Sequence, residues 1–371
     1  MTRLSINLCL GIISLLLLFT SSDAKPHARQ EPLVAVVAER EIAGLRQHLN
    51  TSWRLVDPTS ATRSDLEVAK VVVPFFGSNA SALYDMLDHA PAGQLLQLPM
   101  TGFDWLDFSL VPLRFAVCNT HSSAVAISEY VIAAVLSWNV HLPALDAGLR
   151  HCTWRQGPND CMRPTIHQQS KGQTIGIIGY GSLGAAVAQR ASALGMRVVA
   201  VTSPAPNQPP PPLSWVGNDT MLPRLMQESD FVVITCPLLP STRGLVDANT
   251  IRHMKRTGVL INVARGPIID EAAVYDALLK KRIGGAVLDV WWNEKAMYSN
   301  NSGTTAWPSR FNFSALPNVW MTPHASSYTD GTEEENARQM ALNFDALANG
   351  KNLTNVVRPG NAGSDVHSII I

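Results

Sequence analysis

The stretch that most restricts the fold is "TIGIIGYGSLGAAVAQRASALGMRVVAVT", residues 174–202. An apolar run typical of a buried strand leads into three glycines, Gly179, Gly181 and Gly184. An alanine-rich helical segment follows, and Gly195 ends it before a second apolar run. A strand, a glycine loop, a helix and a strand in this order predict a βαβ unit of a parallel sheet.

The three glycines have the spacing of a loop that holds a nucleotide pyrophosphate. Gly179 would allow the tight turn, Gly181 would let the backbone approach the phosphates, and Gly184 would let the helix pack closely on the strand. The N-terminus of the following helix offers unpaired N–H groups and a partial positive charge. Because the loop lies between a strand and an uninterrupted helix, we expect it, with Ser182 and Leu183, to bind a dinucleotide cofactor.

The end of the second strand bears on which dinucleotide binds. An acidic residue there would hold the ribose hydroxyls of NAD, but this chain has Thr202 and Ser203. The missing carboxylate removes repulsion against a 2′-phosphate, whereas no arginine follows to bind that phosphate. Thr202 and Ser203 are therefore expected beside NAD or NADP, with a slight preference for NADP.

Further apolar runs extend the βαβ pattern along the chain. They cover residues 230–238, 258–266, 284–292 and 318–324. With helical stretches between them, they predict an α/β fold, a Rossmann doubly wound parallel sheet. Residues 124–149 have apolar residues at helical spacing, which predicts one long and mostly buried helix. The proline-rich stretch 206–215 is typical of an extended surface loop, and the amphipathic segment 329–357 is expected to pack back on residues 33–117.

Composition restricts the class of partner. The chain of 371 residues has 29 basic and 29 acidic residues, so its formal net charge is zero. A nucleic-acid-binding surface would need a concentration of positive charge, and the basic residues form no stripe. We therefore expect a small-molecule ligand and no nucleic acid, and no group of residues in the sequence predicts a metal site.

Residues 1–24 have the pattern of a cleaved secretory signal peptide. Arg3 precedes an apolar run too short to span a bilayer, and Ser22 and Ala24 form a small-residue cleavage site. Triplets that can accept N-glycans begin at Asn50, Asn79, Asn218, Asn300, Asn312 and Asn352. The sequence thus predicts a glycoprotein of the secretory pathway, in the lumen or outside the cell, with no membrane attachment after cleavage. An organelle reached through that pathway is the alternative.

The cysteines that follow the predicted leader fall into two pairs. Cys152 and Cys161 flank a short turn, which suits a disulfide in an oxidising compartment, although two free thiols are the alternative. Cys118 and Cys236 lie in apolar runs and are expected to be buried thiols.

Charged residues follow three of the predicted strands. Arg265 comes after "LINVA", Asp289 and Glu294 come after "GGAVL", and His324 comes after "NVWMTP". Ligands of an open α/β sheet bind outside the carboxyl ends of its strands, so these four residues should lie at one edge. Arginine can hold a carboxylate through two parallel hydrogen bonds, and a histidine beside a glutamate suits general acid–base chemistry.

Five motifs resemble, in order and spacing, those of the D-isomer-specific 2-hydroxyacid dehydrogenase family. They are "GYGSLG", "CPLLPSTRGLVD", "LINVARGPIIDEAAVYDAL", "GGAVLDVWWNE" and "LPNVWMTPHAS". The resemblance covers about residues 65–357 and is weakest at its N-terminal end. It implies an NAD(P)-binding Rossmann domain, residues 123–323, inserted into a flavodoxin-like substrate-binding domain formed by residues 25–122 and 324–371.

The resemblance also implies roles for the charged residues. It places the substrate carboxylate and carbonyl on Arg265, the general acid/base on His324, and the partner that orients and charges this histidine on Glu294. The active site would lie in the cleft between the domains. A homodimer is implied as well.

Contacts to cofactor and substrate follow from the same motifs. The resemblance places Asp289 on the nicotinamide side and implies substrate contacts from the backbone N–H groups of Thr101 and Gly102. Further cofactor contacts are implied at Pro237, Val263 and Ala264.

These observations predict an oxidoreductase that transfers a hydride between NAD(P)H and a small 2-keto acid, such as glyoxylate or hydroxypyruvate. The rival interpretation is a catalytically weak, dinucleotide-sensing binding protein of the same fold. Three features depart from the family pattern: Ser182 stands where arginine is common, Lys295 stands where proline is common, and Trp291 and Trp292 are adjacent. They bear on cofactor choice and substrate size and leave the acid–base residues intact.

Overall fold

The computed structural model describes residues 31–74, 80–151, 167–294 and 307–360. In these ranges the strands are β1 Leu33–Val37, β2 Trp53–Val56, β3 Ala69–Val73, β4 Leu95–Gln97, β5 Ala116–Cys118, β6 Thr174–Ile178, β7 Arg197–Val201, β8 Trp215–Gly217, β9 Phe231–Ile234, β10 Val259–Asn262, β11 Gly285–Leu288, β12 Val319–Met321 and β13 Val356–Arg358. The α-helices are α1 Glu39–His48, α2 Arg63–Val68, α3 Ala80–Asp88, α4 Ala124–Val140, α5 Leu142–Arg150, α6 Ser182–Ala193, α7 Leu222–Glu228, α8 Ala248–Ile251, α9 Glu271–Leu279 and α10 Asp330–Ala348. The predicted leader, the Cys152–Cys161 pair, Asn79 and Asn300 lie outside the described residues.

One sheet holds seven parallel strands in the order β12-β11-β10-β9-β6-β7-β8. The order reverses at β6, which is flanked by β7 and β9. This reversal is the switch point of a doubly wound sheet, where ligands bind at the carboxyl ends of the strands. The predicted α/β class with a Rossmann-like parallel sheet is confirmed.

The strands of this sheet are apolar on both faces because helices cover both. In β7 the side chains alternate, so Val198 and Ala200 pack in one core while Val199 and Val201 pack in the other. The first core includes Val187 of the helix that follows the glycine loop. The strands therefore appear in the sequence as continuous apolar runs.

The second sheet has six strands in the order β13-β5-β4-β3-β1-β2. Its pairs are parallel except that of β13 with β5, so the sheet is mixed. Met340 and Phe344 of α10 are buried against its core beside Leu45 of α1. The predicted return of the C-terminal segment onto the N-terminal one is confirmed by this packing.

The prediction of a single helix over residues 124–149 is wrong, because α4 and α5 are separate helices bent by 55°. His141 between them has a φ of 57°, and Pro143 begins α5 without a backbone N–H. In the described part of the chain no single helix is long and apolar enough to cross a membrane, while this bent pair reaches the length and composition. Val131 and Val135 of α4 are buried in the core of the Rossmann domain.

The proline-rich connector ends in a strand that the sequence analysis did not predict. Trp215–Gly217 forms β8 at the edge of the parallel sheet, in register with residues 199–201 of β7. The strand is only three residues long and partly exposed, so it lacks the apolar run that marks its neighbours.

Candidate active site

A cavity of about 840 Å³ lies where the carboxyl ends of the parallel strands of the two sheets face each other. Loops from both sides contribute to it, and α4 contributes its N-terminal end. The predicted site residues in its lining are Thr101, Gly102, Ser182, Leu183, Pro237, Val263, Ala264, Arg265 and His324. The fold therefore brings the predicted cofactor loop and the predicted substrate groups to one cleft.

The glycine loop has the shape expected of a phosphate cradle. Gly179 has a φ of 97°, and a Cβ there would collide with the backbone of Cys236. A Cβ on Gly184 would collide with the carbonyl of Gly179, whereas the space above Gly181 is open. α6 begins at Ser182, so its first N–H groups are free for an anion. These residues fit the pyrophosphate of a dinucleotide.

Six predicted cofactor residues lie outside the cavity lining, namely the three loop glycines, Asp289, Thr202 and Ser203. Thr202 is half-buried, and its N–H donates to the carbonyl of Gly217 at 2.9 Å. Ser203 is exposed at the same edge of the sheet. Both residues follow β7 at the carboxyl edge of the sheet, where the ligands of this fold bind.

Arg265 follows β10 and is held from both sides of the cleft. Its Nε donates to Oδ1 of Asp104 at 2.9 Å, and its Nη1 donates to the carbonyl of Ala264 at 2.7 Å. Asn262 fixes the backbone, because its Nδ2 donates to the carbonyl of Arg265 at 2.9 Å. The guanidinium is thus oriented in the cavity with its Nη2 group unused by these bonds.

The loop that carries Thr101 and Gly102 approaches this guanidinium closely. A Cβ on Gly102 would overlap Nη2 of Arg265, so only glycine allows the observed approach. The hydroxyl of Thr101 shares a hydrogen bond of 2.9 Å with that of Ser123, and the Thr101 carbonyl accepts from Nδ2 of Asn119 at 2.7 Å. The loop is therefore fixed to the first turn of α4.

His324 and Glu294 form a hydrogen-bonded pair at the Rossmann side of the cavity. Nδ1 of His324 lies 3.0 Å from Oε2 of Glu294, and the other carboxylate oxygen accepts from the N–H of Trp291 at 2.8 Å. Their side chains are 26% and 20% exposed, so the pair is partly shielded from water. Because Nδ1 is engaged, Nε2 is the imidazole nitrogen left for a ligand.

Asp289 is fully buried and lies outside the cavity lining. Its carboxylate accepts from the Thr322 hydroxyl at 2.6 Å and from the N–H groups of Ala325 at 2.8 Å and Ser326 at 3.0 Å. Its carbonyl accepts from the N–H of His324 at 2.7 Å. Asp289 thus holds the loop on both sides of His324.

Comparison with known proteins identifies this architecture. The model of the family described as "D-isomer specific 2-hydroxyacid dehydrogenase, NAD binding domain" matches residues 132–326, more than half of the chain. The chain belongs to this family. It is therefore an NAD(P)-dependent oxidoreductase of the 2-hydroxyacid dehydrogenase type.

Individual relatives match this dehydrogenase over most of its chain and most of their own length. The glyoxylate reductase of Thermococcus kodakarensis is 31% identical, over 72% of this chain and 77% of its own length. The glycerate dehydrogenase of Methylorubrum extorquens is 30% identical, over 72% and 80%. The structure of a D-isomer specific 2-hydroxyacid dehydrogenase from Xanthobacter autotrophicus Py2, in complex with NADPH and MES, has a TM-score of 0.69 at 23% identity, covering 88% of this chain and 98% of that one.

Among the titratable groups that line the dehydrogenase cleft are His121 and Cys236, which the sequence analysis did not assign to it. Burial lowers the pKa of His121, which favours its neutral form. Burial also raises the pKa of the Cys236 thiol to about 12. Cys118 and Cys236 are both buried free cysteines, as predicted.

Some residues of the dehydrogenase site give no signal in the sequence. Asp104 pairs with Arg265 across 161 positions of the chain, a distance at which no local pattern is informative. The paired tryptophans also differ from expectation, because Trp291 and Trp292 pack in the core of the Rossmann domain and not against the cavity.

Proposed function

We propose that the protein reduces a small 2-keto acid, such as glyoxylate or hydroxypyruvate, to the D-2-hydroxy acid. One observation carries the proposal: Arg265 lines the same cavity as His324, which is paired with Glu294. Relatives named glyoxylate reductase and glycerate dehydrogenase support this substrate class. Bound NADH or NADPH would supply the hydride.

In this proposal Arg265 binds the carboxylate and carbonyl oxygens of the substrate. Its Nε and one Nη1 hydrogen are engaged by Asp104 and Ala264, so Nη2 is available to the acid. Backbone N–H groups of Thr101 and Gly102 would add neutral donors to the carboxylate. A guanidinium fixed in advance orients the substrate and stabilises the oxyanion that develops on its carbonyl.

His324 would act as the general acid. Its Nε2, in the protonated ring, donates a proton to the carbonyl oxygen of the substrate while Nδ1 stays bonded to Glu294. The Glu294 carboxylate, bonded to Nδ1, holds the orientation of the ring. In the reverse direction the neutral ring accepts the proton from the hydroxy acid.

The cofactor would lie on the glycine loop, with Ser182, Leu183, Pro237, Val263 and Ala264 along it. Asp289 would lie behind residues 322–326, the histidine loop. Thr202 and Ser203 would lie at its ribose. Because neither residue carries a negative charge, we expect the 2′-phosphate of NADPH to be tolerated and NADPH to be slightly preferred.

The deciding experiment is oxidation of NADH and NADPH by the purified chain with a panel of 2-keto acids. We expect turnover with at least one small keto acid. In Arg265→Ala the loss of a charge-assisted contact should raise the KM for the keto acid about a hundredfold. The Kd of the cofactor should stay within about twofold of the wild-type value.

Arg63→Ala serves as the matched control, because Arg63 is an exposed arginine paired with Glu67 on α2. It should leave both constants unchanged. Cofactor binding without turnover of any acid would contradict the proposed reductase and favour a dinucleotide-sensing protein. Equal losses of keto-acid and cofactor affinity in Arg265→Ala would contradict the role of Arg265.

We also propose that the protein enters the secretory pathway. The leader-like residues 1–24 support it, as do the exposed side chains of Asn50, Asn218, Asn312 and Asn352, which a glycan would require. Expression in a secreting eukaryotic cell should yield a mature N-terminus near residue 25 and a mass that falls on treatment with a peptide N-glycosidase. A protein that begins at Met1 and does not lose mass on glycosidase treatment would contradict entry into the secretory pathway.

The proposal also includes a homodimer. Exposed apolar side chains on α4 and α5 support it, because such patches commonly mark protein interfaces. They are Val125, Leu136, Leu142, Leu145 and Leu149. Sedimentation equilibrium should give twice the chain mass, and Leu142→Glu with Leu149→Glu should give monomers; a monomeric wild-type protein would contradict it.

A further inference from the structure

A tyrosine on α4 is connected to the histidine loop through two hydrogen bonds. The hydroxyl of Tyr130 lies 2.6 Å from the Thr322 hydroxyl, and the Thr322 hydroxyl lies 2.6 Å from Oδ1 of Asp289. Tyr130 is half-buried, and burial raises its pKa, so its proton is retained. None of the motifs discussed above assigned Tyr130 or Thr322 a role.

The Asp289 carboxylate determines which group donates in each of these two hydrogen bonds. The Asp289 carboxylate is an acceptor, so the single hydroxyl proton of Thr322 is donated to it. A lone pair of the Thr322 oxygen then accepts from the Tyr130 hydroxyl. Each bond polarises the next, which strengthens the hold on the Asp289 carboxylate.

The backbone of the histidine loop is strained at His324. His324 has a φ of 53°, a left-handed conformation that costs a non-glycine residue about 1 kcal/mol or more. Asp289 maintains it through the bonds to Thr322 before the histidine and to Ala325 and Ser326 after it. The backbone geometry of His324 therefore depends on the orientation of one carboxylate.

α4 contacts both sides of the cleft from one face. Ser123, at its N-cap, bonds the Thr101 hydroxyl of the substrate loop, and Tyr130 bonds the histidine loop. Seven positions separate Ser123 from Tyr130, which is two helical turns and places both on one face. A rigid helix thus spans the two loops that must meet the same substrate.

We propose that Tyr130 is a positioning residue for the reaction, which orients His324 through Thr322 and Asp289 and holds its distance from the substrate loop. This inference rests on the proposed function for the role of His324. Tyr130 contacts neither substrate nor cofactor in this arrangement. Its effect should therefore fall on the chemical step and not on ligand binding.

The first test is Tyr130→Phe in the full chain, which removes only the hydroxyl. We expect kcat to fall about fivefold, the rate equivalent of one hydrogen bond, with unchanged Kd for NADH and NADPH. Tyr84→Phe is the matched control, since the Tyr84 hydroxyl accepts from the N–H of Asp107 in the other domain. It should leave kcat unchanged, and an equal fall in both variants would overturn the proposal.

The second test is a double-mutant cycle with Thr322. Thr322→Val should lower kcat more than Tyr130→Phe, and the double variant should be no slower than Thr322→Val alone, because Tyr130 acts through this hydroxyl. Thr322→Ser, which restores the hydroxyl, should recover most of the rate. Additive losses in the double variant, or no recovery with serine, would overturn the proposed connection.

A third measurement is independent of turnover. The imidazole nitrogen resonances of His324 should shift in NMR spectra of Tyr130→Phe and stay in place in Tyr84→Phe. If the enzyme reduces no keto acid, this shift still tests the positioning of His324, so failure of the proposed function is recognised separately. Unshifted resonances with an unchanged kcat would overturn the inference while leaving the proposed function intact.

Discussion

The two sides of the cleft are built in different ways. On the Rossmann side the cofactor loop is one run of residues, 179–184, and the His324–Glu294 pair follows neighbouring strands of a single sheet. On the substrate side the binding geometry arises where groups meet across the cleft, as Asp104 meets Arg265. Under the proposed function the chemical step belongs to His324 and Glu294 on the Rossmann side, whereas substrate positioning depends on contacts across the cleft, so substitutions at the two places should separate kcat from KM.

The largest expected effect is on the Rossmann side, in Glu294→Gln. The amide keeps the shape but carries no negative charge to pair with the ring of His324, so kcat should fall between about a hundredfold and a thousandfold. The KM for the keto acid should change little. Steady-state kinetics with saturating cofactor measures both constants.

Glu67→Gln is the control for that prediction, because Glu67 is an exposed glutamate on α2, remote from the cavity. It should match the wild-type protein. A Glu294→Gln variant in which KM rises and kcat is preserved would reverse the assignment of the two sides.

A smaller effect is expected on the substrate side, in Gly102→Ala. The added Cβ would overlap Nη2 of Arg265 and displace the guanidinium. Since a misplacement of about 1 Å can cost about a hundredfold, we expect the KM for the keto acid to rise about fiftyfold. The Kd for the cofactor, measured by fluorescence titration, should not change.

Gly331→Ala is the matched control for the alanine substitution. Gly331 lies in the first turn of α10, where a Cβ would meet open space. Its kinetic constants should equal those of the wild-type protein. If Gly102→Ala lowers kcat and leaves KM in place, the loop takes part in the chemical step and the comparison fails.

The smallest effect concerns stability at the far edge of the Rossmann sheet. Burial disfavours the Glu228 carboxylate, but its hydrogen bonds with Trp215, Arg224 and Arg197 prevail and lower its pKa from 4.5 to about 2. Glu228→Gln should therefore lower the free energy of unfolding at pH 7 by about 1 to 2 kcal/mol. Activity should be unaffected, since Glu228 lies outside the cavity lining.

The pH dependence of that loss has a definite sign. A carboxylate with a lowered pKa in the folded state contributes stability above its unfolded value and loses it as the pH falls. Denaturant titrations should show the gap between wild type and Glu228→Gln narrowing from pH 4.5 towards pH 2. If the difference in free energy of unfolding between the two proteins stays constant over this range, the charge of Glu228 is excluded as its source.

The sequence predicted what depends on neighbouring residues and missed what depends on distant ones. The glycine loop and the apolar strands were predictable because each is a contiguous pattern with a local physical cause. β8 was missed because three partly exposed residues have no hydrophobic period, and the break at His141 was missed because the apolar spacing continues through it.

The features of the candidate site also separate into those that the sequence predicted and those that it did not. Arg265, Glu294 and His324 were predictable because each follows a strand that ends at the ligand-binding edge of the sheet. The pairing of Asp104 with Arg265 and the left-handed backbone of His324 were not, since both depend on contacts between elements far apart in the chain. The roles of these residues remain predictions until the variants are measured.

The burial of Cys236 beneath the glycine loop has a consequence for the chemical durability of the cleft. Burial raises the pKa of the Cys236 thiol to about 12, so the reactive thiolate is rare at pH 7. Cys118, at the end of β5 in the substrate-side sheet, has its pKa raised to about 12 by the same cause. Peroxide or disulfide exchange should therefore modify neither thiol at an appreciable rate, and the cleft should keep its shape in reducing and oxidising surroundings alike.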